Sequence, residues 1–369
     1  MTSSYFRRVR PSKSLHVETS SSYFNENSCF FELSDLTLPP PLNTSTYKRS
    51  NTMIKPKQLL RTWMLAIAIL LGVLLYFLGD KYLPNPGAKT IAMHWIKTLQ
   101  PILIFVMLMI TFCKVEPRSL RLTSWHGCLL ILQTLGFSIA AIFIIGANPT
   151  YRPIAEGALL CFICPTATAA AVVTDKLKGD VAGVISYTIL ANMLAALLIP
   201  TVVSLMIPSQ IGFLTSLWSI MAKVFPMLIF PFFVAWGIRT YFPQILKQIL
   251  AVKDLAFHIW AICLTLAITT STHALMHSVA PFSTLLSICL VSLVSCALQF
   301  GIGRIIGRKH HSLVAASQAI GQKNTVFAIW AGFTFFDPLS SLAGGFYSIF
   351  HNLWNSYQLS QQARSEQRG

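Results

Sequence analysis

Charged residues are scarce in this chain, and acidic ones are the scarcest. Asp, Glu, Lys and Arg make up 11% of its 369 residues, and only 12 residues are acidic. An average soluble domain carries about 25% charged residues. Hydrophobic residues reach 54%, and the mean hydropathy is +0.61. This composition argues against a soluble enzyme and predicts a chain that lies mostly within a lipid bilayer.

Several chemical signatures are also missing. The sequence contains neither a nucleotide-binding P-loop nor an HExxH zinc motif, so it gives no sign of ATP-driven transport or of an intramembrane metalloprotease. Its eight cysteines lie mostly inside apolar runs, where cysteine is usually a small buried apolar residue. The pair Cys161 and Cys164 also lies in such a run. We therefore predict neither a redox pair nor a zinc site there, and we expect no cofactor or metal.

The first 52 residues differ from the rest of the chain. They are rich in Ser, Asn and Thr, contain three consecutive prolines at 39–41, and have no apolar stretch suited to a secretory signal. We predict a disordered head over 1–52. Its four acidic residues argue against an organelle transit peptide. Met53 and the Ile-Lys-Pro-Lys that follows resemble a bacterial start, so the head is interpreted as an upstream gene-start artefact or a dispensable tail.

Apolar runs recur from residue 58 to residue 360, and each can cross a bilayer core of about 30 Å. We predict an all-α membrane protein with ten membrane spans, followed by a cytoplasmic tail at 361–369. The predicted spans are 59–79, 93–113, 124–146, 153–175, 179–206, 212–239, 253–275, 280–305, 311–334 and 338–360.

Basic residues are unevenly distributed among the predicted connections. Eighteen lie before the first span, in alternate loops or in the tail, whereas three lie in the other loops. The positive-inside rule therefore places both termini in the cytoplasm and makes the number of spans even. The net charge of +16 is mostly this topology signal, so we expect no nucleic-acid partner. The predicted location is a bacterial inner membrane.

Two predicted spans are interrupted by polar residues near their middle. The fourth carries Cys-Pro-Thr-Ala-Thr at 164–168, and the ninth carries Gly-Gln-Lys-Asn-Thr at 321–325. The two interruptions occupy corresponding places in two five-span halves, 58–207 and 211–360. Because each half has an odd number of spans, the two halves are inserted in the membrane with opposite orientations. Such paired interruptions indicate the central site of a transporter, because free N–H and C=O groups are exposed there. Two kinked helices without a ligand remain the alternative.

Three stretches carry a resemblance to a known family. Residues 164–174 are similar to the motif C-P-G-G-T-x-S-N-V-V-T, residues 319–325 to E-V-G-M-Q-N-S, and residues 346–352 to F-S-x-x-H-N. In this order, on ten spans, they resemble the bile acid:sodium symporter family. The resemblance implies that helices four and nine are broken and cross where they unwind. It also implies alternating access for a small organic anion, with two sodium ions beside the crossing in sodium-coupled members.

The departures from the family's motifs fall on its sodium ligands. Ala170 and Ala171 stand where the family has Ser-Asn, and Ala319 stands where it has a glutamate. Val184 takes the place of a serine in the following helix, and Lys323 replaces a glutamine. Hydrocarbon groups cannot ligate sodium, which prefers oxygen ligands. We therefore predict that the usual sodium sites are lost.

Lys323 is the most informative residue, because a lysine at mid-span costs about 2.5–3.5 kcal/mol on insertion scales. Three interpretations stay open. Lys323 is a tethered cation that balances the carbonyl ends of half-helices, a proton-coupling group, or a structural lysine in a polar crossing. In the first two cases an anionic substrate lies close to it.

The predicted function is secondary transport of a small organic anion without sodium, either proton-coupled or facilitative. The alternatives are a sodium symporter with a shifted ion site, in which the retained Thr188 and Gln133 contribute oxygens, and a non-transporting membrane sensor. The candidate site combines the interrupted segments with polar residues of neighbouring spans. Its predicted residues are Gln133, Thr168, Ala170, Ala171, Thr188, Asn192, Ala319, Gln322, Lys323 and Asn324.

Overall fold

A computed structural model describes residues 56–83, 85–116, 120–206, 212–252 and 255–366. The predicted head at 1–52 and the last three residues of the predicted tail lie outside these ranges. The described secondary structure is helical, apart from one isolated β-bridge. The helices of the first half are α1 (Pro56–Tyr82), α2 (Pro86–Cys113), α3 (Ser124–Gly146), α4 (Arg152–Ile163), α5 (Ala169–Lys176) and α6 (Val181–Met206).

The second half of the described chain is also helical. Its helices are α7 (Phe213–Leu228), α8 (Phe230–Tyr241), α9 (Pro243–Ala251), α10 (Leu255–Met276), α11 (Phe282–Lys309), α12 (Leu313–Gly321), α13 (Thr325–Phe335) and α14 (Leu342–Glu366), with a 3₁₀ turn at Pro338–Ser341 before α14.

Within the described residues, seven segments are long and apolar enough to cross a membrane. Together they account for seven of the ten predicted spans, namely the first, second, third, fifth, sixth, seventh and eighth. The segments are Met64–Tyr82 of α1, the whole of α2, α3, α6, α10 and α11, and Phe213–Tyr241, which joins α7 to α8.

The fourth and ninth predicted spans are each divided into two short helices. The fourth consists of α4 and α5, and α4 ends because Pro165 has no N–H and favours an extended residue before it. Cys164 is indeed extended, with φ −55° and ψ 133°. The ninth consists of α12 and α13, separated at Gln322, which is also extended. The predicted interruptions are therefore present as breaks, whereas a ten-span inverted repeat stays a prediction.

The sixth predicted span contains a break that the sequence analysis did not anticipate. The helix is interrupted at Ile229, between α7 and α8. Pro231 follows in the first turn of α8, and a proline removes one backbone donor from a continuous helix.

Small residues bring α11 and α12 close together, and this contact supports the second break. A methyl group on Gly303 would lie 2.7 Å from the carbonyl oxygen of Ala316, and one on Gly307 would lie 2.7 Å from that of Ser312. Close approach of backbones at small residues is the usual way in which membrane helices associate. Here it holds the end of α12, and therefore the second break, in a fixed position.

Candidate functional site

The two breaks lie directly against each other, and we call residues 164–168 and 322–324 the paired breaks. Ala167 N donates to Gln322 O at 2.9 Å, and Asn324 N donates to Pro165 O at 2.8 Å. Thr166 and Lys323 form the isolated antiparallel bridge between these bonds. Unwound backbone in a membrane must satisfy its polar groups within the protein. Here each break satisfies part of the other.

Three consecutive carbonyl groups at the end of α4 accept hydrogen bonds from side chains of other helices. Gln299 Nε2 donates to Cys161 O at 3.1 Å, Lys323 Nζ to Phe162 O at 3.2 Å, and Gln133 Nε2 to Ile163 O at 3.2 Å. The last carbonyls of a helix have no partner within it and carry partial negative charge. A cation at this end is therefore electrostatically favourable.

The carbonyl end of α12 is satisfied in a similar way. Thr166 Oγ1 donates to Ala319 O at 2.6 Å, and the hydroxyl of Tyr347 donates to Gly321 O at 2.8 Å. The groups that donate to the carbonyls of α12 are uncharged hydroxyls. Within the paired breaks, Lys323 is the one basic residue, and its Nζ lies at the end of α4.

Lys323 is 1% exposed. The ion pairs found within the described part of the chain join Asp80 to Lys89, Arg152 to Glu156 and Lys178 to Glu366, so none of them includes Lys323. Its ammonium group carries three N–H donors, one of which is bonded to Phe162 O. One carbonyl at the end of α4 therefore accepts from Lys323 Nζ, and two donors remain for a further acceptor.

A small cavity of about 40 Å³ lies beside Lys323. This volume holds only a few water-sized groups, so the cavity is too small for an organic anion in this conformation. Four predicted site residues line the cavity, together with polar residues of α14 and apolar residues of α2 and α10. The polar lining residues are Thr168, Gln322, Lys323, Asn324, Thr325, His351, Asn352 and Asn355, and the apolar ones include Met107 and Trp260.

Three of the lining residues carry buried polar atoms without a partner among the described residues. These atoms are Nδ2 of Asn324, Nδ1 of His351 and Oδ1 of Asn355. Most buried polar atoms in proteins are hydrogen-bonded, and an exception calls for an explanation. Asn324 uses its other amide atom, Oδ1, to accept a bond from Phe327 N at the start of α13. The cavity therefore offers at least one free amide donor next to the ammonium group.

The alanines predicted to replace sodium ligands meet in an apolar cluster next to the breaks. Ala170, Val184 and Ala319 are completely buried in this cluster, and Ala171 packs against it. Trp125, Leu129 and Tyr187 belong to the same cluster. The fold therefore brings together the positions that correspond to sodium ligands in the family motifs, but in this chain those positions carry hydrocarbon side chains.

The remaining predicted site residues have local partners. Gln133 is fully buried, and both ends of its amide are hydrogen-bonded. Its Nε2 donates to Ile163 O, and its Oε1 accepts from the Tyr187 hydroxyl at 2.9 Å. Thr188 donates to Val184 O one turn earlier, and Asn192 donates to Thr188 O. Neither Thr188 nor Asn192 lines the described cavity.

His351 and Asn352 line the cavity but were not predicted as site residues. Asn355 and Gln299 were also missed, although the sequence carried a signal for them. Asn355 follows His351 by four residues, which places both on one face of α14. Gln299 is a polar residue in the long apolar helix α11, and its amide reaches α4. Polar side chains within apolar spans usually face the protein interior, and both residues are buried.

The chain is similar to known membrane transporters. A profile of the SBF-like CPA transporter family matches residues 63–359. The chain is also similar to a protein of Bacillus subtilis (strain 168) described as an uncharacterized sodium-dependent transporter, YocS, with 22% identity over 205 residues. That similarity covers 55% of this chain and 62% of the relative, so it spans less than two thirds of the relative's length.

The family match covers most of the chain, including every helix of the candidate site. It confirms the resemblance to the bile acid:sodium symporter family. Together with the seven described segments that are long and apolar enough to cross a membrane, it supports an integral membrane protein. The chain belongs to the SBF-like CPA transporter family.

Proposed function

We propose that the protein is a secondary transporter that moves a small organic anion by alternating access, and that Lys323 takes the place of the coupling sodium ions. The observation that carries this proposal is the bond from Lys323 Nζ to Phe162 O at the carbonyl end of α4. A tethered ammonium there supplies the positive charge that a bound cation would otherwise supply.

The surroundings of Lys323 support sodium independence. The nearby positions predicted to lack sodium ligands, Ala170, Val184 and Ala319, are packed in an apolar cluster, and their own side chains offer no oxygen to an ion. A sodium ion about 5 Å from the ammonium would also be repelled by about 3 kcal/mol at an effective dielectric constant of about 20.

The donors at the cavity support an anionic substrate. Two N–H groups of Lys323 and the free Nδ2 of Asn324 can bond to an oxyanion such as a carboxylate. The cavity is smaller than an organic anion, so substrate entry requires the neighbouring helices to move apart. In the proposed mechanism the broken helices and α14 separate from α2 and α10, which provide the opposite wall.

The proposed architecture has ten spans in two inverted halves, 58–207 and 211–360. The helix pairs α4–α5 and α12–α13 are the fourth and ninth spans, and α14 is the tenth. Both termini then lie in the cytoplasm of a bacterial cell, with 361–369 as a tail and 1–52 dispensable for transport.

Sodium symport is the second candidate function, because the Bacillus subtilis relative is described as sodium-dependent. In this case Gln133, Thr188 and backbone carbonyls would hold an ion away from the apolar cluster.

The test is uptake of a library of radiolabelled organic anions into proteoliposomes that contain the full chain. Sodium and pH gradients are varied independently. Uptake that ignores sodium is the expected result, and its response to pH decides between facilitation and proton coupling. Uptake that requires sodium supports symport, whereas binding without flux supports a membrane sensor and refutes transport.

A further inference from the structure

A second cavity lies on the outer face of α14, away from the paired breaks. It has a volume of about 390 Å³ and runs between α11 and α14, and we call it the α11–α14 groove. Its lining is mostly apolar and includes Leu293, Phe300, Gly301, Arg304, Leu353 and Trp354. We propose that this groove binds one anionic phospholipid of the cytoplasmic leaflet, with its phosphate at Arg304 and an acyl chain along the apolar floor.

The length of the groove fits one leaflet. Its α11 residues run from Leu293 to Arg304 on one helix face, a distance of about 16 Å at 1.5 Å per residue. Half of a hydrocarbon core of about 30 Å is nearly the same length. Leu293 and Leu353 are 42% and 62% exposed, so the groove is open to the side, where an acyl chain can enter.

The charged end of the groove fits a phosphate. Arg304 has no carboxylate partner among the ion pairs of the described chain, and Arg308 and Lys309 follow in the last turn of α11. A guanidinium group binds phosphate through two parallel N–H bonds. The predicted topology places this end of α11 on the cytoplasmic side, and basic pockets between membrane helices on that side bind anionic headgroups.

An unsatisfied donor lies in the same groove. The indole Nε1 of Trp354 is buried and has no hydrogen-bond partner among the described residues. The ring of Trp354 contacts Phe300 on α11 and Tyr357 on α14, with centroid distances of 5.9 Å and 5.6 Å. Buried indole groups usually find an acceptor. A phosphate or ester oxygen of the lipid provides one once the indole edge, which is closed to solvent in this conformation, turns into the groove.

Gly301 leaves space for the acyl chain. A methyl group built on this residue would meet no atom within 4 Å, although the neighbouring Gly303 is in tight contact with α12. A larger side chain at position 301 can therefore fill the groove without disturbing the packing of α11 on α12.

Lipid retention by the purified full chain tests this proposal through native mass spectrometry. The protein is exposed to an equimolar mixture of dioleoylphosphatidylglycerol and dioleoylphosphatidylcholine. We expect at least a fivefold preference for the anionic lipid, and we expect Arg304→Gln to reduce this preference by at least fivefold. Arg308→Gln is the matched control, because Arg308 is exposed and does not line the groove. The preference of this variant for the anionic lipid should stay within twofold of that of the unsubstituted protein.

Two further variants keep the proposal testable if Arg304→Gln does not fold. Gly301→Leu should lower retention of both lipids, and Trp354→Phe should reduce the preference by about twofold to fivefold. Equal retention of both lipids by the original protein would overturn the proposal. Equal losses in Arg304→Gln and Arg308→Gln would also overturn it, since they would indicate general attraction to a basic surface.

Discussion

Replacement of Lys323 by methionine should separate the function of this residue from the stability of the fold. Methionine is apolar and of similar length, so the cost of about 2.5–3.5 kcal/mol for a lysine at mid-span disappears. The charged hydrogen bond to Phe162 O is lost at the same time, at a cost of about 1.5–3 kcal/mol. These terms nearly cancel, so the free energy of unfolding should change by less than about 2 kcal/mol.

Transport should respond very differently. The substrate anion loses its only nearby cation among the described cavity residues, and a charged hydrogen bond of about 3 kcal/mol corresponds to a factor of about 100 in affinity. We expect uptake per folded molecule to fall by at least about 100-fold. Lys223→Met is the matched control, because Lys223 is exposed on α7 and absent from the cavity lining.

The assay combines thermal unfolding in detergent with uptake into proteoliposomes at equal amounts of folded protein. Near-normal uptake by Lys323→Met would refute the proposed role. Loss of more than about 4 kcal/mol of stability, with uptake preserved in the surviving protein, would make Lys323 a structural residue.

Three further predictions concern other parts of the fold. Gly303→Ala should destabilise the protein by about 1–3 kcal/mol, because the added methyl group would press against α12. Gly301→Ala should cost less than about 0.5 kcal/mol, because the space beside it is open. Thermal unfolding of the two variants measures both effects. Glu156→Ala should cost about 2 kcal/mol by the same assay, because this buried carboxylate accepts bonds at the start of α4. The Lys178 ammonium, 2.7 Å away, and a hydrogen bond from Gln362 lower the pKa of Glu366 below its ordinary value of 4.5. Lys178→Gln should raise this pKa toward the ordinary value in a carbon-13 NMR titration.

The sign of the last effect follows from the lowered pKa. The folded state holds the Glu366 carboxylate in its charged form, so the pair stabilises the fold above the ordinary glutamate pKa. This contribution is lost as the pH falls through the lowered value. An unchanged Glu366 titration in Lys178→Gln would contradict the assignment of the lowered pKa to Lys178. Equal stability of Gly303→Ala and Gly301→Ala would contradict the packing argument.

Long uninterrupted helices were the part of the fold that the sequence predicted best. The third predicted span, 124–146, coincides with α3, and the seventh, 253–275, differs from α10 by two residues or fewer. Apolar composition over one bilayer thickness is a strong signal that needs no tertiary information. The break at Ile229 was missed because prolines near it are also tolerated within continuous membrane helices. The short helix α9 was missed because it is too short to form a span.

The candidate site was only partly predictable. Local composition located both breaks, because Pro165 and Gly321 with their polar neighbours interrupt apolar runs. It could not show that Lys323 contacts Phe162 O, since 161 residues separate them and no local pattern encodes this distance. For the same reason the amide of Gln299 could not be assigned to the end of α4. Thr188 was predicted at the site from the family resemblance, and Asn192 as a polar residue within an apolar span, yet their donors bond within α6.

Equilibrium binding of radioactive sodium to the purified full chain tests the central claim most directly, because it requires no knowledge of the substrate. If the Lys323 ammonium occupies the place of the coupling ion at the end of α4, the protein will show no saturable sodium binding at millimolar concentrations. Saturable binding of one or two sodium ions per chain would contradict this account.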